Sequence, residues 1–203
     1  MNDFDNKAKF WDNDPEKHKR AKLFADKISA GINRNDKSAM EYGCGTGLVS
    51  FCLNDKFKNI ALCDSSQGMI DTLKMKITES GIGNMKPVLC DLEKDDMNEK
   101  FDVIYSLMAM HHVINIEKVL DKFRKMLSEN GSLFIADLEK EDGSFHGTGF
   151  KGHNGFDRDM LVTFLENAGF NTVEYEVFNT MKKKSTDGLE REYKLFFLHA
   201  ICR

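Results

Sequence analysis

Apolar residues along this chain follow two periods, one typical of strands and one typical of helices. Five short apolar runs predict buried strands, at 38–43, 59–64, 86–91, 101–107 and 131–138. Between these runs, apolar residues recur every three or four positions, which predicts amphipathic helices. The clearest helical stripe is Ile116, Val119, Leu120, Phe123 and Leu127. Strands and helices therefore alternate, which favours a largely parallel sheet with helices on both faces.

Capping residues indicate where several helices begin and end. Asp14 followed by Pro15 predicts a helix start, and a second helix is predicted near Thr46. Ser66 is a predicted cap for a helix whose inward stripe is Ile70, Leu73 and Ile77. Gly169 predicts the end of a later helix, whose stripe is Leu161, Phe164, Leu165 and Ala168.

The last part of the chain has a different pattern. Two long strand-like runs, 171–181 and 191–201, are separated by a charged stretch that contains glycine, which predicts a hairpin. We therefore predict a doubly wound α/β fold with seven strands, mainly parallel, and an antiparallel C-terminal hairpin. A single domain is expected over 1–203, with an N-terminal helical lid at 1–35 and the core at 36–203. In such sheets, ligands bind beyond the carboxyl ends of the strands.

Composition narrows the classes of partner. The chain has 203 residues, of which 41% are apolar, enough to bury a large core. Its net charge of −4 gives no general attraction to nucleic acid or to an anionic membrane. No apolar run is long enough to span a bilayer, and the polar N-terminus has no secretory pattern. We expect a cytoplasmic protein whose five cysteines, which form no CxxC pair, are structural.

Three glycines follow the first predicted strand in the stretch "EYGCGTG". Gly43, Gly45 and Gly47 are spaced G-x-G-x-G, and Leu48 takes the place of the third glycine of a dinucleotide fingerprint. No Lys-Ser/Thr pair follows, so the stretch is not a phosphate-binding P-loop. The spacing suits a ligand that approaches the backbone closely without carrying a pyrophosphate, although glycine spacing alone is a weak signal.

Two acidic residues end the next two predicted strands. Asp64 lies 17 residues after Gly47, where a carboxylate accepts the hydroxyls of a ribose. Asp91 ends the third strand, where a carboxylate suits an exocyclic amine. Alternatively, each aspartate caps a helix. Together with the glycines, the two carboxylates predict a site for a nucleoside that carries a polar tail.

These segments resemble those of class I S-adenosylmethionine-dependent methyltransferases, which have a Rossmann-like fold. "EYGCGTG" resembles the glycine motif, "LCDSSQGMI" the ribose segment, "LCDLE" the adenine segment and "FDVIYSLMAMHHV" the fourth-strand motif. The resemblance covers nearly the whole chain. It implies S-adenosyl-L-methionine as the cofactor and S-adenosyl-L-homocysteine as its product. It is specific for fold and cofactor, and much less specific for the substrate.

The resemblance also implies a role for individual residues. Glu41 and the three glycines would line the methionine moiety, Asp64 would hold the ribose and Asp91 the adenine amine. Other residues that it implies at the cofactor, around the adenine or beside the sulfur, are Ser65, Met69, Leu92, Ser106 and Leu107. Trp11, the only tryptophan, closes over the cofactor as part of a lid or anchors the first helix as a hydrophobic staple.

Missing motifs restrict the acceptor. The chain lacks the Asn/Asp-Pro-Pro-aromatic motif of amino-methylating DNA enzymes, a Pro-Cys nucleophile and a recognisable paired-Glu loop. Ser106 and Leu107 stand where catechol-type enzymes have a metal-binding aspartate, so we expect no metal. What remains resembles small-molecule methyltransferases related to those of quinone biosynthesis, whose fourth strand also runs into a "HH" segment.

Histidines are the candidate catalytic residues. Four of the six lie near the predicted mouth of the site: His111, His112, His146 and His153. The last two are in the long irregular stretch 141–157, and long loops of this kind are often functional. A neutral imidazole can accept the proton of a nucleophile, and we predict this role among His111, His146 and His153. Alternatively, His111 or His112 satisfies backbone groups at a helix start.

Three other functions remain open from the residues alone. One is a regulatory protein that binds the cofactor without catalysis, and another is a nicotinamide-dependent oxidoreductase, which the glycine spacing disfavours. The third is a methyltransferase that acts on RNA or protein. We favour a metal-independent methyltransferase that acts on a small molecule, with no nucleic-acid or membrane partner. The sequence indicates neither the acceptor atom nor the oligomeric state.

Overall fold

The computed structural model of the protein describes residues 3–32, 38–185 and 188–203. Parts of the predicted lid (1, 2 and 33–35), the start of the predicted core (36 and 37) and two residues of the hairpin connection (186 and 187) lie outside these ranges. Within the described residues, the seven strands β1 to β7 are Ser38–Tyr42, Asn59–Asp64, Met85–Leu89, Phe101–Leu107, Leu127–Leu138, Phe170–Lys184 and Glu190–Cys202.

All seven strands form one sheet in the order β3-β2-β1-β4-β5-β7-β6. Strands β1 to β5 pair in parallel, and β7 pairs antiparallel with both β5 and β6. The predicted fold class is therefore confirmed, including the C-terminal hairpin. The strand order reverses direction between β1 and β4, and in sheets of this kind a ligand is expected in the crevice at the carboxyl ends of these two strands.

Helices cover both faces of the sheet. Within the described residues, the α-helices α1 to α6 are Asp3–Lys7, Pro15–Gly31, Leu48–Cys52, Gln67–Ser80, Ile116–Met126 and Arg158–Asn167. Two short 3₁₀ segments, Ala8–Asn13 and Met110–His112, lie beside the predicted site. No helix among the described residues has the length and apolarity needed to cross a membrane.

Neighbouring residues of each central strand point into different cores. Met40 of β1 joins the core beneath α5 and α6, whereas Ala39 joins the core beneath α2, α3 and α4. In β4, Ile104 faces the first core and Tyr105 the second. Because both faces are covered, these strands are apolar throughout, which is why they appear in the sequence as continuous apolar runs.

Some boundaries differ from the sequence prediction. Leu127 was predicted on the stripe of α5, but the helix ends at Met126 and Leu127 has the extended φ of −75° and ψ of 142°. It begins β5, and its side chain is still buried in the same core. The helix predicted near Thr46 begins at Leu48 and has only five residues. The glycine loop occupies the positions before it.

Candidate functional site

The glycine loop, residues 43–47, joins β1 to α3 at the carboxyl edge of the sheet. Gly43 has a φ of +66°, and a Cβ at this position would lie 2.2 Å from Cβ of Ala109. Ala109 follows β4 directly after Met108, whose φ of 55° is rare for a residue with a side chain. The loop and the end of β4 are therefore in such close contact that only glycine fits at position 43.

Gly45 faces a gap between two side chains. Its φ is +52°, and an added Cβ would lie 3.6 Å from Nε1 of Trp11 and 3.9 Å from Sδ of Met69. These are ordinary van der Waals distances, so the missing side chain leaves space rather than avoiding a collision. We call Gly45, Trp11, Met69 and the carboxylate of Asp64 the cradle.

Asp64 is bound to the glycine loop through its carboxylate. Its Oδ2 accepts a hydrogen bond from the Gly45 amide at 2.8 Å, and its Oδ1 accepts one from the Ser66 amide at 2.8 Å. Burial raises the pKa of this carboxyl, and the amide donors oppose the shift. The cap of α4 is Ser66, whose Oγ accepts from the Met69 amide at 3.2 Å. A carboxylate has capacity for further donors beyond these two.

Glu41 lies beneath the glycine loop. Its Oε2 accepts hydrogen bonds from the amide of Ser50 at 3.2 Å and from the Ser50 hydroxyl at 2.5 Å. Tyr105 completes this group, with its hydroxyl 2.6 Å from Oγ of Ser50. Burial raises the pKa of Glu41 to about 8, against the effect of the Ser50 donors. The side chain therefore holds α3 and β4 to the start of the loop.

The residues predicted around the adenine differ in their exposure to solvent and in their hydrogen-bond partners. Asp91 accepts hydrogen bonds from the Glu93 amide at 3.0 Å and from Nζ of Lys94 at 2.7 Å. Leu92 is fully buried in the core, and Ser65 is exposed. Asp91 therefore has partners of its own, and a ligand amine would have to share or replace them.

The residues predicted beside the sulfur lie at the end of β4. Ser106 is buried, and its Oγ donates to the carbonyl oxygen of Tyr42 at 3.0 Å. Leu107 is partly buried and is the last residue of the strand. The Ser106 hydrogen bond joins β4 to the residue immediately before the glycine loop, so both edges of the crevice are fixed to each other.

The N-terminal segment covers this crevice. Oδ1 of Asp5 in α1 accepts hydrogen bonds from Oγ of Ser66 at 2.6 Å and from the Gly68 amide at 3.1 Å. The ring of Phe4 is 5.9 Å from the ring of Trp11 and 5.2 Å from that of His112. One phenyl ring thus connects the cradle with the histidines.

Three histidines, His111, His112 and His146, form what we call the histidine cluster. A ligand nitrogen of each lies within 4.8 Å of the others. Asp137, at the end of β5 and fully buried, accepts from Nδ1 of His111 at 2.6 Å and from the His111 amide at 3.1 Å. Because a carboxylate only accepts, Nδ1 is the donor in this pair, and in a neutral ring Nε2 carries the lone pair.

The strand-five loop, residues 139–157, brings His146 to the other two histidines. Its two ends are paired by main-chain hydrogen bonds, and the amide of His153 donates to the carbonyl oxygen of His111 at 2.7 Å. His146 stacks on Phe150 with the ring centroids 3.9 Å apart. The ring of His153 packs against Phe156 instead, with centroids 5.3 Å apart, and is not part of the cluster.

The surroundings keep His112 and His146 uncharged at neutral pH. Burial, together with the neighbouring His111, lowers the pKa of His112 to about 3. The same two causes, with a contribution from Lys183, lower the pKa of His146 to about 4. Both imidazoles therefore keep a lone pair for a proton, a hydrogen bond or a metal ion.

Two residues around the histidine cluster were not predicted as part of the site. Asp137 was assigned only to a strand, although an aspartate inside the apolar run "GSLFIADL" is a signal of a buried partner. Phe4 was not singled out, whereas His112 was predicted near the mouth with the other three histidines. Two open depressions elsewhere on the surface, along β3 and at the amino ends of β1 to β3, contain none of the predicted site residues.

Comparison with known proteins gives a consistent family. A family model described as a methyltransferase domain matches residues 17–175. An uncharacterized methyltransferase of Schizosaccharomyces pombe is 30% identical over 158 residues, which are 70% of this chain and 56% of the relative. The ubiquinone biosynthesis O-methyltransferase of Bartonella bacilliformis is 28% identical over 101 residues, 50% of this chain and 41% of the relative. This chain thus spans about half the length of these relatives.

A solved structure shows the same fold. An S-adenosylmethionine-dependent methyltransferase from Clostridium acetobutylicum superimposes with a TM-score of 0.70, covering 91% of this chain and 92% of its own. The two sequences are 15% identical, so the likeness concerns the fold alone.

Proposed function

Because the chain belongs to the family of methyltransferase domains, we propose that it transfers a methyl group from S-adenosylmethionine to a small-molecule acceptor. The observation that carries the proposal is the cradle, which lies at the carboxyl ends of β1 and β2, beside the switch point of the sheet, and is joined to the histidine cluster by the ring of Phe4. A cytoplasmic location, without a nucleic-acid or membrane partner, remains part of this proposal.

The residues of the cradle suit the cofactor. The space at Gly45 is bordered by the Trp11 indole and the Met69 thioether, both of which pack well against a flat base or a methionine chain. Asp64 is fixed by two amide donors and has remaining acceptor capacity for ribose hydroxyls. Glu41 supplies a buried carboxyl at the end of β1, which Ser50 of α3 holds in place.

The protein's contribution to the chemistry is alignment and exclusion of water. The cofactor supplies a methyl group that is already activated by a positive sulfur. The end of β4 and the glycine loop would hold the reacting atoms in line, and Phe4 and Trp11 would close the crevice. The positive charge disappears during transfer, so apolar walls such as Phe145 and Phe150 do not oppose the reaction.

His111 is our proposed general base in the metal-free form of this site. Asp137 orients its ring and would stabilise the imidazolium that forms when Nε2 takes the acceptor's proton. His146 lies in the same cluster and contributes to the acceptor side of the pocket. His153, the third predicted base, contacts His111 only through its amide, and its ring, which packs on Phe156, has no part in this proposal.

The first experiment is calorimetric titration of S-adenosylmethionine and S-adenosylhomocysteine into the wild type and the Asp64→Asn variant. We expect the variant to bind about ten- to a hundredfold more weakly, because it loses a charged acceptor for the ribose. Asp121→Asn, an exposed change on α5, is the matched control and should bind like the wild type. Absence of binding by the wild type, or an equal loss in the control, would contradict the cofactor site.

Turnover is measured next, by transfer of labelled methyl to a panel of small hydroxyl, thiol, amine and carbon-acid acceptors. Binding of the cofactor without turnover on any acceptor would favour a regulatory protein. A parallel titration with NADH should give no heat of binding, and saturable binding would support the oxidoreductase instead.

A further inference from the structure

We propose that the histidine cluster binds a divalent first-row transition metal of the zinc type, through ring nitrogens of His111, His112 and His146. The metal would hold the nucleophilic atom of the acceptor. Metal binding itself stands independently, whereas this role for the metal rests on the proposed function. The inference departs from the sequence prediction of a metal-free enzyme.

The geometry of the cluster is close to that of a metal site. Tetrahedral zinc with bonds of about 2.0–2.1 Å to nitrogen separates its ligand atoms by roughly 3.4 Å. The three ligand nitrogens here all lie within 4.8 Å of one another, so adjustments of about an ångström in ring position would close the site. His111 and His112 lie in one 3₁₀ segment, and His146 faces them from the strand-five loop.

Asp137 gives His111 the support that metal-binding histidines commonly have. Its carboxylate fixes the Nδ1–H of His111 at 2.6 Å and leaves Nε2 as the ligand atom. A carboxylate in this position orients the ring and raises its basicity as a ligand. The amides of His111 and Leu138 also donate to Asp137, at 3.1 and 2.7 Å, so the carboxylate is itself firmly held.

His146 has a buried nitrogen that lacks a partner. Its Nε2 is inaccessible to solvent and has no hydrogen bond within the described part of the chain. A buried polar atom of this kind costs free energy unless something satisfies it.

The donor set selects the kind of metal. The cluster consists of imidazoles only, which suit zinc and its first-row neighbours, whereas magnesium and calcium prefer oxygen ligands. The positive charges of Lys7 and Lys183 act on His146 and oppose a cation, whereas the charge of Asp137 attracts one. The two lysines also favour an anion as the remaining ligand.

Three protein ligands leave a fourth position open, as in catalytic zinc sites. We assign this position to a hydroxyl or thiol of the acceptor, whose pKa the metal lowers, so that its proton leaves to water before transfer. The new bond then forms between that oxygen or sulfur and the methyl carbon, and the bond from the methyl carbon to the donor sulfur breaks. His111 is in this case a ligand, and the ion replaces it as the group that activates the acceptor.

The test uses Co²⁺ and Zn²⁺ themselves as probes. The purified chain is freed of metal with a chelator and titrated with Co²⁺, whose visible absorption reports tetrahedral nitrogen ligation, and then with Zn²⁺ by calorimetry. We expect one ion per chain. His146→Ala and His112→Ala should each weaken binding at least a hundredfold, and Asp137→Asn about ten- to a hundredfold. His153→Gln changes a histidine of the same loop outside the cluster and should bind metal like the wild type.

Two results would overturn the inference: absence of a stoichiometric Co²⁺ spectrum in the wild type, or equal weakening in His153→Gln. Circular dichroism of each variant shows whether it folds, and His112→Gln, which keeps a side chain of similar size, replaces His112→Ala if that protein unfolds. The same preparations are titrated with S-adenosylhomocysteine. Lost metal binding with intact cofactor binding defeats only the metal site, and the reverse defeats only the proposed function.

Discussion

At the scale of the residue, Glu41 shows how a buried carboxyl links stability to pH. Its pKa is raised from 4.5 to about 8, chiefly by burial. The folded protein therefore holds this proton more tightly than the unfolded chain does. Consequently the free energy of unfolding should fall as the pH rises from about 4.5 to about 8, and this contribution should be constant outside that window.

Glu41→Gln removes that dependence. Glutamine keeps the size and an acceptor for Ser50 but cannot ionise. We therefore expect the free energy of unfolding of the wild type to fall by a few kcal/mol more than that of the variant between pH 4.5 and pH 8. Denaturant unfolding of both proteins at a series of pH values measures this difference. Glu79→Gln, an exposed change on α4, is the control and should follow the wild-type curve. Parallel curves for wild type and Glu41→Gln would mean that folding does not raise the pKa of Glu41.

A substitution at Gly45 should affect ligand binding more than the stability of the fold. Alanine fits the available space at 3.6 Å from Trp11, so Gly45→Ala should cost only the strain of a positive φ, about 1–2 kcal/mol. The new methyl group would occupy the cradle, and we expect binding of S-adenosylhomocysteine to fall at least tenfold. Gly81→Ala is matched to it, with a φ of +69° and no atom within 4 Å of the added Cβ.

Thermal unfolding measures the stability of the two glycine variants, and calorimetry measures their affinity for S-adenosylhomocysteine. Similar losses of stability with a binding defect only in Gly45→Ala would support the cradle. Wild-type affinity in Gly45→Ala would show that the ligand does not approach this part of the backbone.

At the scale of the element, α1 and the 3₁₀ segment after it act together as a cover. Asp5 fixes α1 to the start of α4, and Phe4 touches both Trp11 and His112. Asp12 also bonds Thr46 and pairs with Lys76, so the cover is held by polar contacts outside the main cores, and such segments open more readily than a core. We infer that ligands enter and leave by displacement of this segment.

Phe4→Ala should therefore speed release of S-adenosylhomocysteine several-fold, with a smaller effect on its association. Trp11 is the only tryptophan, so its fluorescence reports the state of the cover directly in a stopped-flow experiment. Phe10→Ala removes a ring that is 70% exposed in the same segment and serves as the control. Unchanged release rates in Phe4→Ala would mean that the cover does not limit exit.

At the scale of the whole molecule, apolar patterning predicts the sheet, whereas the arrangement of the histidine cluster depends on a loop contact that patterning does not show. Runs such as 101–107 and 131–138 are buried on both faces. Their residues must therefore be apolar whichever side chains pack against them, and the runs can be recognised in the sequence. The histidine cluster depends instead on residues 34 positions apart, His112 and His146, which meet because the His153 amide binds the His111 carbonyl. That is a contact between main chains in a loop rich in glycine, and side-chain patterning carries no signal for it.

The two edges of the sheet lead to a prediction about association. Unpaired strand edges invite pairing with a second chain unless features such as proline, charge or bulges prevent it. The β3 edge contains Pro87, which cannot donate a hydrogen bond, next to Lys86. The β6 edge has two irregularities in its pairing, between Thr172 and Glu174 and between Val177 and Asn179. Both edges are thus protected, and we expect this chain to be a monomer of 23.2 kDa.

Light scattering coupled to gel filtration measures this mass over a range of concentrations. Pro87→Val restores a donor and adds a β-branched side chain, so we expect concentration-dependent self-association in that variant. Lys151→Val introduces the same side chain at an exposed loop position and should remain monomeric. A wild-type dimer, or association of both variants alike, would show that the β3 edge does not control assembly. If Pro87→Val is monomeric, the β3 edge is protected by Lys86, which pairs with Glu99 at 2.9 Å. Adding Lys86→Thr to Pro87→Val removes this ion pair and should then cause self-association.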